Sequence, residues 1–222
     1  MNIAFIPVRG GSKSIPLKNI KIINGKPLVY WTALAGNDSK NIDKVVIATD
    51  SEEIKKVVQS FDLPKIELYN RKPENAQDTS STESVMLEYI EQADLNPDDK
   101  FVLIQATSPL LKSEDIDAMF KKLEQSGADS IFSGVREKRF YWTDNDGEVK
   151  PLNYDYRNRP RRQDYDGMIL ENGACYINSV KNVIKDKNRL SGKITYYELS
   201  PATAFEIDEE IDWIIIENLM KR

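Results

Sequence analysis

Short apolar runs bounded by polar or turn residues alternate with longer stretches of helical spacing from the first residue to about position 130. That is the pattern of βαβ units around a mainly parallel sheet. Residues 3–8 predict the first strand, 45–49 a second, and 66–69 and 101–104 two more of the brief, fully buried type. A helix is predicted to begin near Ser51, where Asp50 or Ser51 can cap and Glu52 and Glu53 suit the positive end of the helix dipole. Residues 82–93 carry Val85, Leu87, Tyr89 and Ile90 in a second helical run. A third helix starts at a capping-type Ser113 and sets Ile116, Met119, Phe120 and Leu123 on one face. Clean periodicity is lost over 137–171, where Asn145-Asp146-Gly147 signals a hairpin turn between Tyr141-Trp142-Thr143 and Val149. Strands return at 174–177 and 194–199, and a helix with Ile211, Ile214, Ile215 and Leu219 follows. The expectation is one α/β domain over residues 1–222, a mainly parallel twisted sheet flanked by helices, with an excursion at about 137–171.

Composition narrows the chemistry. The 222 residues are 40% hydrophobic and 30% charged, enough for a sizeable core. With 31 basic against 36 acidic residues the formal charge is −5, which offers no general electrostatic footprint for duplex nucleic acid. The chain has no histidine, which removes Ser-His-Asp and Cys-His catalysis and His-ligated metals together. Cys175 is the only cysteine, so an internal disulfide and a thiolate cluster are excluded, and it reads as a small strand filler. The opening apolar stretch is too short for a secretory signal, and no run approaches the ~20 apolar residues of a spanning helix. A cytoplasmic location without a membrane partner is expected.

Three constellations carry candidate chemistry. Directly after the first strand comes Arg9-Gly10-Gly11-Ser12-Lys13-Ser14-Ile15-Pro16-Leu17-Lys18-Asn19. Its glycines let backbone amides approach a ligand, and Arg9, Lys13 and Lys18 add positive charge, so it reads as a phosphate cradle or, more blandly, a solvated basic turn. It matches neither the Walker A nor the G-x-G-x-x-G spacing. Late in the chain, Phe205-Glu206-Ile207-Asp208 alternates like a strand edge with both acids on one side, a pattern suited to Mg²⁺, while Asp212 also fits the first turn of the last helix. The excursion mixes Lys138, Arg139, Arg157, Arg159, Arg161 and Arg162 with tyrosines and a tryptophan. That mixture suits either single-stranded nucleic acid or a carboxylated sugar.

Taken in order, the opening loop, Ala48-Thr49-Asp50-Ser51-Glu52, Arg71-Lys72-Pro73-Glu74, Asp78-Thr79-Ser80-Ser81, Gln105-Ala106-Thr107-Ser108-Pro109-Leu110, Arg159-Pro160-Arg161-Arg162-Gln163, Glu171-Asn172-Gly173-Ala174-Cys175-Tyr176-Ile177 and Glu206-Ile207-Asp208-Glu209-Glu210-Ile211-Asp212 resemble the CMP-sialic acid synthetase group of cytidylyltransferases over nearly the whole chain. The resemblance implies a Rossmann-like nucleotidyltransferase fold with a dimerisation excursion. It implies transfer of CMP from CTP to a nonulosonic acid, sialic acid or its deaminated relative KDN, with Mg²⁺ and as a homodimer; a KDO-activating enzyme, or a non-catalytic binder of nucleotide or single-stranded nucleic acid, stands as the alternative. It implies that Arg9, Gly10, Gly11, Ser12 and Lys13 hold phosphates, that Lys18 reaches the reacting phosphate, and that Asn19 contacts the nucleotide. Arg71, Ser80, Thr82 and Gln105 are implied in the cytosine pocket, although 78–82 also reads as a helix N-cap and Gln105 as an exposed loop amide. Asp208 and Glu206 are the implied metal ligands, with Glu206 standing where the group usually has Asp. Arg162, Gln163, Asn172 and Tyr176 are the implied sugar-side residues, Tyr176 doubling as a possible core residue. Leu170 replaces an arginine common in relatives that select the N-acetyl sugar, which keeps a different substituent open.

Overall fold

Alternate residues of the central strands feed two separate cores, and that division explains why the strands read as unbroken apolar runs. The computed structural model describes residues 1–12, 14–77 and 79–221. Its main sheet contains β1 (Asn2–Pro7), β4 (Lys44–Thr49), β5 (Ile66–Asn70), β6 (Lys100–Ile104), β7 (Ser130–Glu137), β10 (Met168–Ser179) and β11 (Ile194–Glu198), in the order β11-β7-β10-β6-β1-β4-β5. The pairs β1/β4, β1/β6, β4/β5 and β7/β11 are parallel, whereas β10 runs antiparallel between β6 and β7. On one face Ala4, Ile6, Val45, Ile47, Val102 and Ile104 pack under α1 (Leu28–Asp38), α2 (Glu52–Gln59) and α4 (Ser113–Ser126). On the other, Ile3, Phe5, Val46, Phe101 and Leu103 pack under α3 (Thr82–Gln92) and α5 (Val180–Asp186). Each Val, Leu, Ile or Phe among these, fully buried, contributes about 1.5–3 kcal/mol.

Local chemistry fixes the helix starts. Ser51 caps α2 by accepting the Ile54 amide, and Ser81 caps α3 by accepting that of Ser84. The expectation that Ser113 caps α4 is corrected: Ser113 is already helical, and the Asp115 carboxylate reaches back to the Lys112 amide at 3.1 Å. The last helix, α6 (Glu210–Met220), seats Trp213 and Ile216 in a third cluster with Ile15, Ile23, Leu28 and Ile207.

The excursion leaves the sheet after β7 and returns at β10. Within it, β8 (Trp142–Asn145) and β9 (Glu148–Pro151) form a hairpin around Asp146 and Gly147, both at positive φ, as a tight turn matched to strand twist requires. Phe140 stacks on Tyr154 at 4.3 Å and on Tyr165 at 5.2 Å, so the segment carries its own small aromatic cluster. Residues 205–207 are not the expected strand edge: the chain is extended but unpaired with the sheet, tied by the Ile207 amide to the Thr107 carbonyl at 2.9 Å. Ile207 is buried, Asp208 is exposed and lines the cavity described below, and Glu206 is half-buried and does not line it. Among the described residues no helix is long and apolar enough to cross a membrane.

Candidate active site

From β1 the chain winds first to β4 and β5 on one side and then crosses to β6 on the other, which opens a crevice at the carboxyl ends of β1 and β6. Such switch points are where open α/β sheets bind ligands. A cavity of about 420 Å³ occupies this position. It brings together Arg9, Ser12, Lys18, Asn19, Arg71, Ser80, Thr82, Gln105 and Asp208, all anticipated from the sequence, and adds Ser14, Gln77, Val85 and Thr107.

The opening loop forms one wall. Gly10 lies against the β4–α2 turn, where an added Cβ would come within 2.9 Å of the Ser51 Cβ. Its amide donates to Asp50 Oδ1 at 3.1 Å, and the Ser12 amide donates to the Gly10 carbonyl at 3.2 Å. Protein acceptors, one in the β4–α2 turn and one in the loop itself, already take these two amides, so the expectation of amides turned to a ligand is not met there. Gly10 and Gly11 do not line the cavity, and Lys13 lies outside the described residues. Leu17, at φ 51°, turns the chain into a short 3-10 segment, Lys18–Ile20, that presents Lys18 and the buried Asn19. Asn19 Nδ2 donates to the Arg9 carbonyl at 3.1 Å, fixing the loop to its own end.

Lys18 crosses to the acid wall. Its Nζ donates to the Ile207 carbonyl at 2.7 Å and to Asp208 Oδ1 at 3.3 Å. The Asp208 and Glu209 amides both donate to Asp212 Oδ2, so the reading of Asp212 as an acid of the last helix's first turn describes its contacts. Burial first, and then the neighbouring Asp208, push the Glu206 carboxyl above its ordinary 4.5, with Lys18 pulling the other way. Gly173, at φ +70°, lets this carboxyl and Gln105 sit close: a Cβ there would be 3.3 Å from Glu206 Oε2 and 3.5 Å from Gln105 Nε2.

The opposite wall is built from Arg71, Gln105 and the residues at the start of α3. Arg71 is held by its amide to the Thr49 carbonyl and by Nη2 to the Asn75 carbonyl. Burial lowers the basicity of its guanidinium, with nearby Asp50 and Glu88 opposing the shift. Ser80 Oγ donates to the Glu74 carbonyl at 3.0 Å, and Asp78 lies outside the described residues. Among the described residues Arg71 Nε and Thr107 Oγ1 are buried without a hydrogen-bond partner, although both residues line the cavity. A buried unsatisfied donor costs about 1–3 kcal/mol.

The sugar-side expectations fare differently. Asn172 is buried, accepts from Ser133 and donates to the Thr203 carbonyl, and so it joins β10 to β7 instead of facing the cavity. Tyr176 is 3% exposed, donates to Glu171 and packs under Arg189, which is the core alternative. Arg162 lines a separate cleft with Arg136, Lys138 and Arg139, and Gln163 is exposed beside it in a 3-10 turn. Position alone marks Thr107 and Gln77, since neither residue type stands out in its motif.

A mainly parallel sheet with a cation-, amide- and hydroxyl-lined crevice at its switch point defines the Rossmann-like nucleotidyltransferase class. Solved structures agree at the level of fold: CMP-2-keto-3-deoxy-manno-octonic acid synthetase complexed with CTP superposes with TM-score 0.72 at 15% identity, over 99% of this chain and 98% of that one. The 4-diphosphocytidyl-2C-methyl-D-erythritol synthase of Anaerococcus prevotii does so with TM-score 0.71 at 13% identity, over 100% and 96%.

The chain belongs to the cytidylyltransferase family, whose model, described as Cytidylyltransferase, matches residues 3–165. It is 40% identical over 224 residues to an N-acylneuraminate cytidylyltransferase of Oncorhynchus mykiss, covering 99% of this chain and 50% of that protein. A protein of the same name from Streptococcus agalactiae serotype V is 27% identical over 217 residues, covering 96% and 51%. The chain thus spans about half the length of the curated relatives it matches.

Proposed function

We propose that this chain transfers CMP from CTP to the anomeric hydroxyl of a nonulosonic acid, releasing pyrophosphate. One observation carries the reading: a single cavity joins a wall lined by Arg71, Gln105 and the start of α3, polar groups suited to a pyrimidine edge, to a wall where Lys18 meets Asp208. The names of the relatives supply the acceptor class.

In the reaction the sugar's anomeric oxygen forms a bond to the α-phosphorus while the bond to the pyrophosphate bridging oxygen breaks. Arg71, Gln105 and the α3 cap region hold the base, and Arg9 and Ser12 hold phosphate oxygens. Lys18 exchanges Asp208 for the α-phosphate and stabilises the charge that gathers there. With no histidine in the chain to take it, the hydroxyl proton leaves to water or to a carboxylate near Asp208.

Mg²⁺ belongs to the same proposal. Among the described residues no three acidic or cysteine side chains gather into a closed metal cage. Glu206 beside Asp208 nevertheless offers hard oxygens whose mutual repulsion a cation relieves, a donor set that fits Mg²⁺ shared with phosphates. When bound, the ion supplies neutralisation of phosphate charge and alignment of the leaving group. Glu206 and Asp208 would hold it.

The homodimer is proposed from the excursion, where Trp142, Val149, Leu152 and Tyr156 are exposed. Arg162 and Gln163 lie outside the crevice and would serve a sugar there from a second copy.

The deciding experiment incubates the chain and Mg²⁺ with CTP, UTP, ATP or GTP against sialic acid, KDN or KDO and measures pyrophosphate. Release with CTP and a nonulosonic acid is expected. Release with KDO alone moves the acceptor class, and no release with any pair rejects the enzyme reading.

A further inference from the structure

We propose that Glu88, which does not line the cavity, is a positioning residue that sets the preference for cytosine over uracil by acting through Arg71. The inference rests on the reading of the chain as a CTP-using transferase and names the device that makes its base pocket selective.

Glu88 lies in α3 and is 5% exposed, a costly place for a carboxylate unless donors surround it. Three do: the Tyr69 hydroxyl at 2.8 Å, the Lys72 amide at 2.8 Å and Asn75 Nδ2. Two of the three come from the turn that follows Arg71. Burial alone would raise the Glu88 carboxyl, but these donors outweigh it and hold it below its ordinary range, so the group is ionised when the turn is assembled. Asn75, gripped through its side chain by Glu88, offers its own carbonyl to Arg71 Nη2. The chain of contacts is therefore Glu88 to Asn75 to Arg71, and it fixes through Nη2 the guanidinium of a residue that lines the cavity.

A donor fixed in one place discriminates, because cytosine presents acceptors at both O2 and N3, whereas uracil presents an N3–H beside O2. Against uracil the fixed donor meets a donor, and sites with buried polar groups reject ligands that leave them unpaired. Against a guanidinium free to swing, O2 is reachable in both bases and the difference shrinks. Glu88 thus converts a generic pyrimidine contact into a selective one without touching the nucleotide.

The test measures CTP and UTP affinity of the full chain by calorimetry with Mg²⁺ and no sugar, together with thermal unfolding. Glu88→Gln should lower the CTP-to-UTP affinity ratio by about ten-fold, chiefly by weakening CTP. In turnover it should raise KM for CTP with kcat at saturation little changed. Tyr69→Phe removes a donor to the same carboxylate without touching the turn after Arg71, so it should lower the unfolding temperature and keep the ratio. If both variants shift the ratio equally, or if Glu88→Gln keeps the wild-type ratio, the link from Glu88 to Arg71 is wrong. Should Glu88→Gln fail to fold, Asn75→Ala carries the test. It deletes the amide that Glu88 grips and leaves the carbonyl, and an unchanged ratio there overturns the proposal. A wild-type chain that binds neither nucleotide instead overturns the CTP reading on which the proposal stands.

Discussion

Glu88, behind the wall that carries Arg71, is buried, and Glu206, beside Asp208 but outside the cavity lining, is half-buried, yet their protons are held in opposite ways. Three donors surround Glu88 and hold its carboxyl below 4.5; Glu206 accepts no hydrogen bond among the described residues, and burial with Asp208 beside it holds its carboxyl above 4.5. Desolvation acts in the same direction on both, so the difference comes from the neighbours. One side of the crevice is assembled before any ligand arrives. The other carries strain of charge that Lys18 relieves only in part, and it is the side where a triphosphate and a cation would exchange partners with the protein.

Removing Lys18 tests that contrast most severely. Lys18→Ala should lower kcat by roughly 10²–10³-fold, the usual loss for one preorganised charge-stabilising donor, with a smaller effect on unfolding, where the exposed Asp208 counts for little and the Ile207 carbonyl loses one donor. Equal turnover in pyrophosphate assays would remove Lys18 from the chemistry. Asp208→Asn should raise the Mg²⁺ concentration for half-maximal rate by about ten-fold or more, while CTP affinity at saturating Mg²⁺ changes less. A coincident metal titration would rule out a ligand at that position.

The smallest effect separates the two carboxyls directly through stability against pH, measured by urea unfolding in chelator. Glu206 has its folded pKa raised, so its contribution is favourable at low pH and is lost as pH rises from 4.5 through the raised value. Glu206→Gln should therefore gain stability relative to the parent across that interval. Glu88 has its folded pKa lowered, so its contribution is present above 4.5 and lost as pH falls through the lowered value. Glu88→Gln should lose relative stability as pH rises toward 4.5. Slopes of the same sign would erase the distinction.

The sheet strands that feed both cores were legible because burial on two faces demands continuous apolar residues, as in Phe101, Val102, Leu103 and Ile104. β7 escaped notice for the converse reason: Ser130 and Ser133 are buried in it, satisfied by the Ser191 carbonyl and by Asn172, partners far away in sequence. α1 is hidden by burial on several sides, with Leu28, Val29, Thr32, Ala33, Ala35 and Gly36 all enclosed, which blurs its period. Most of the crevice was readable from motif letters, since residue type and loop position coincide there. Asn172 was not, because its amide is spent joining β7 to the 201–204 turn, a fact of tertiary pairing that no local spacing records. Glu88 looked like any polar residue of an amphipathic helix.

The excursion begins and ends on cross-strand neighbours, with Met168 paired to Glu137. A segment whose ends are pinned side by side behaves as a replaceable cassette: doubling its length adds only about 0.6 kcal/mol of closure entropy and leaves the register of β7 and β10 untouched. Selection can therefore lengthen, shorten or swap the hairpin wholesale, altering what the outer rim touches, while the crevice at the switch point inherits no change in geometry.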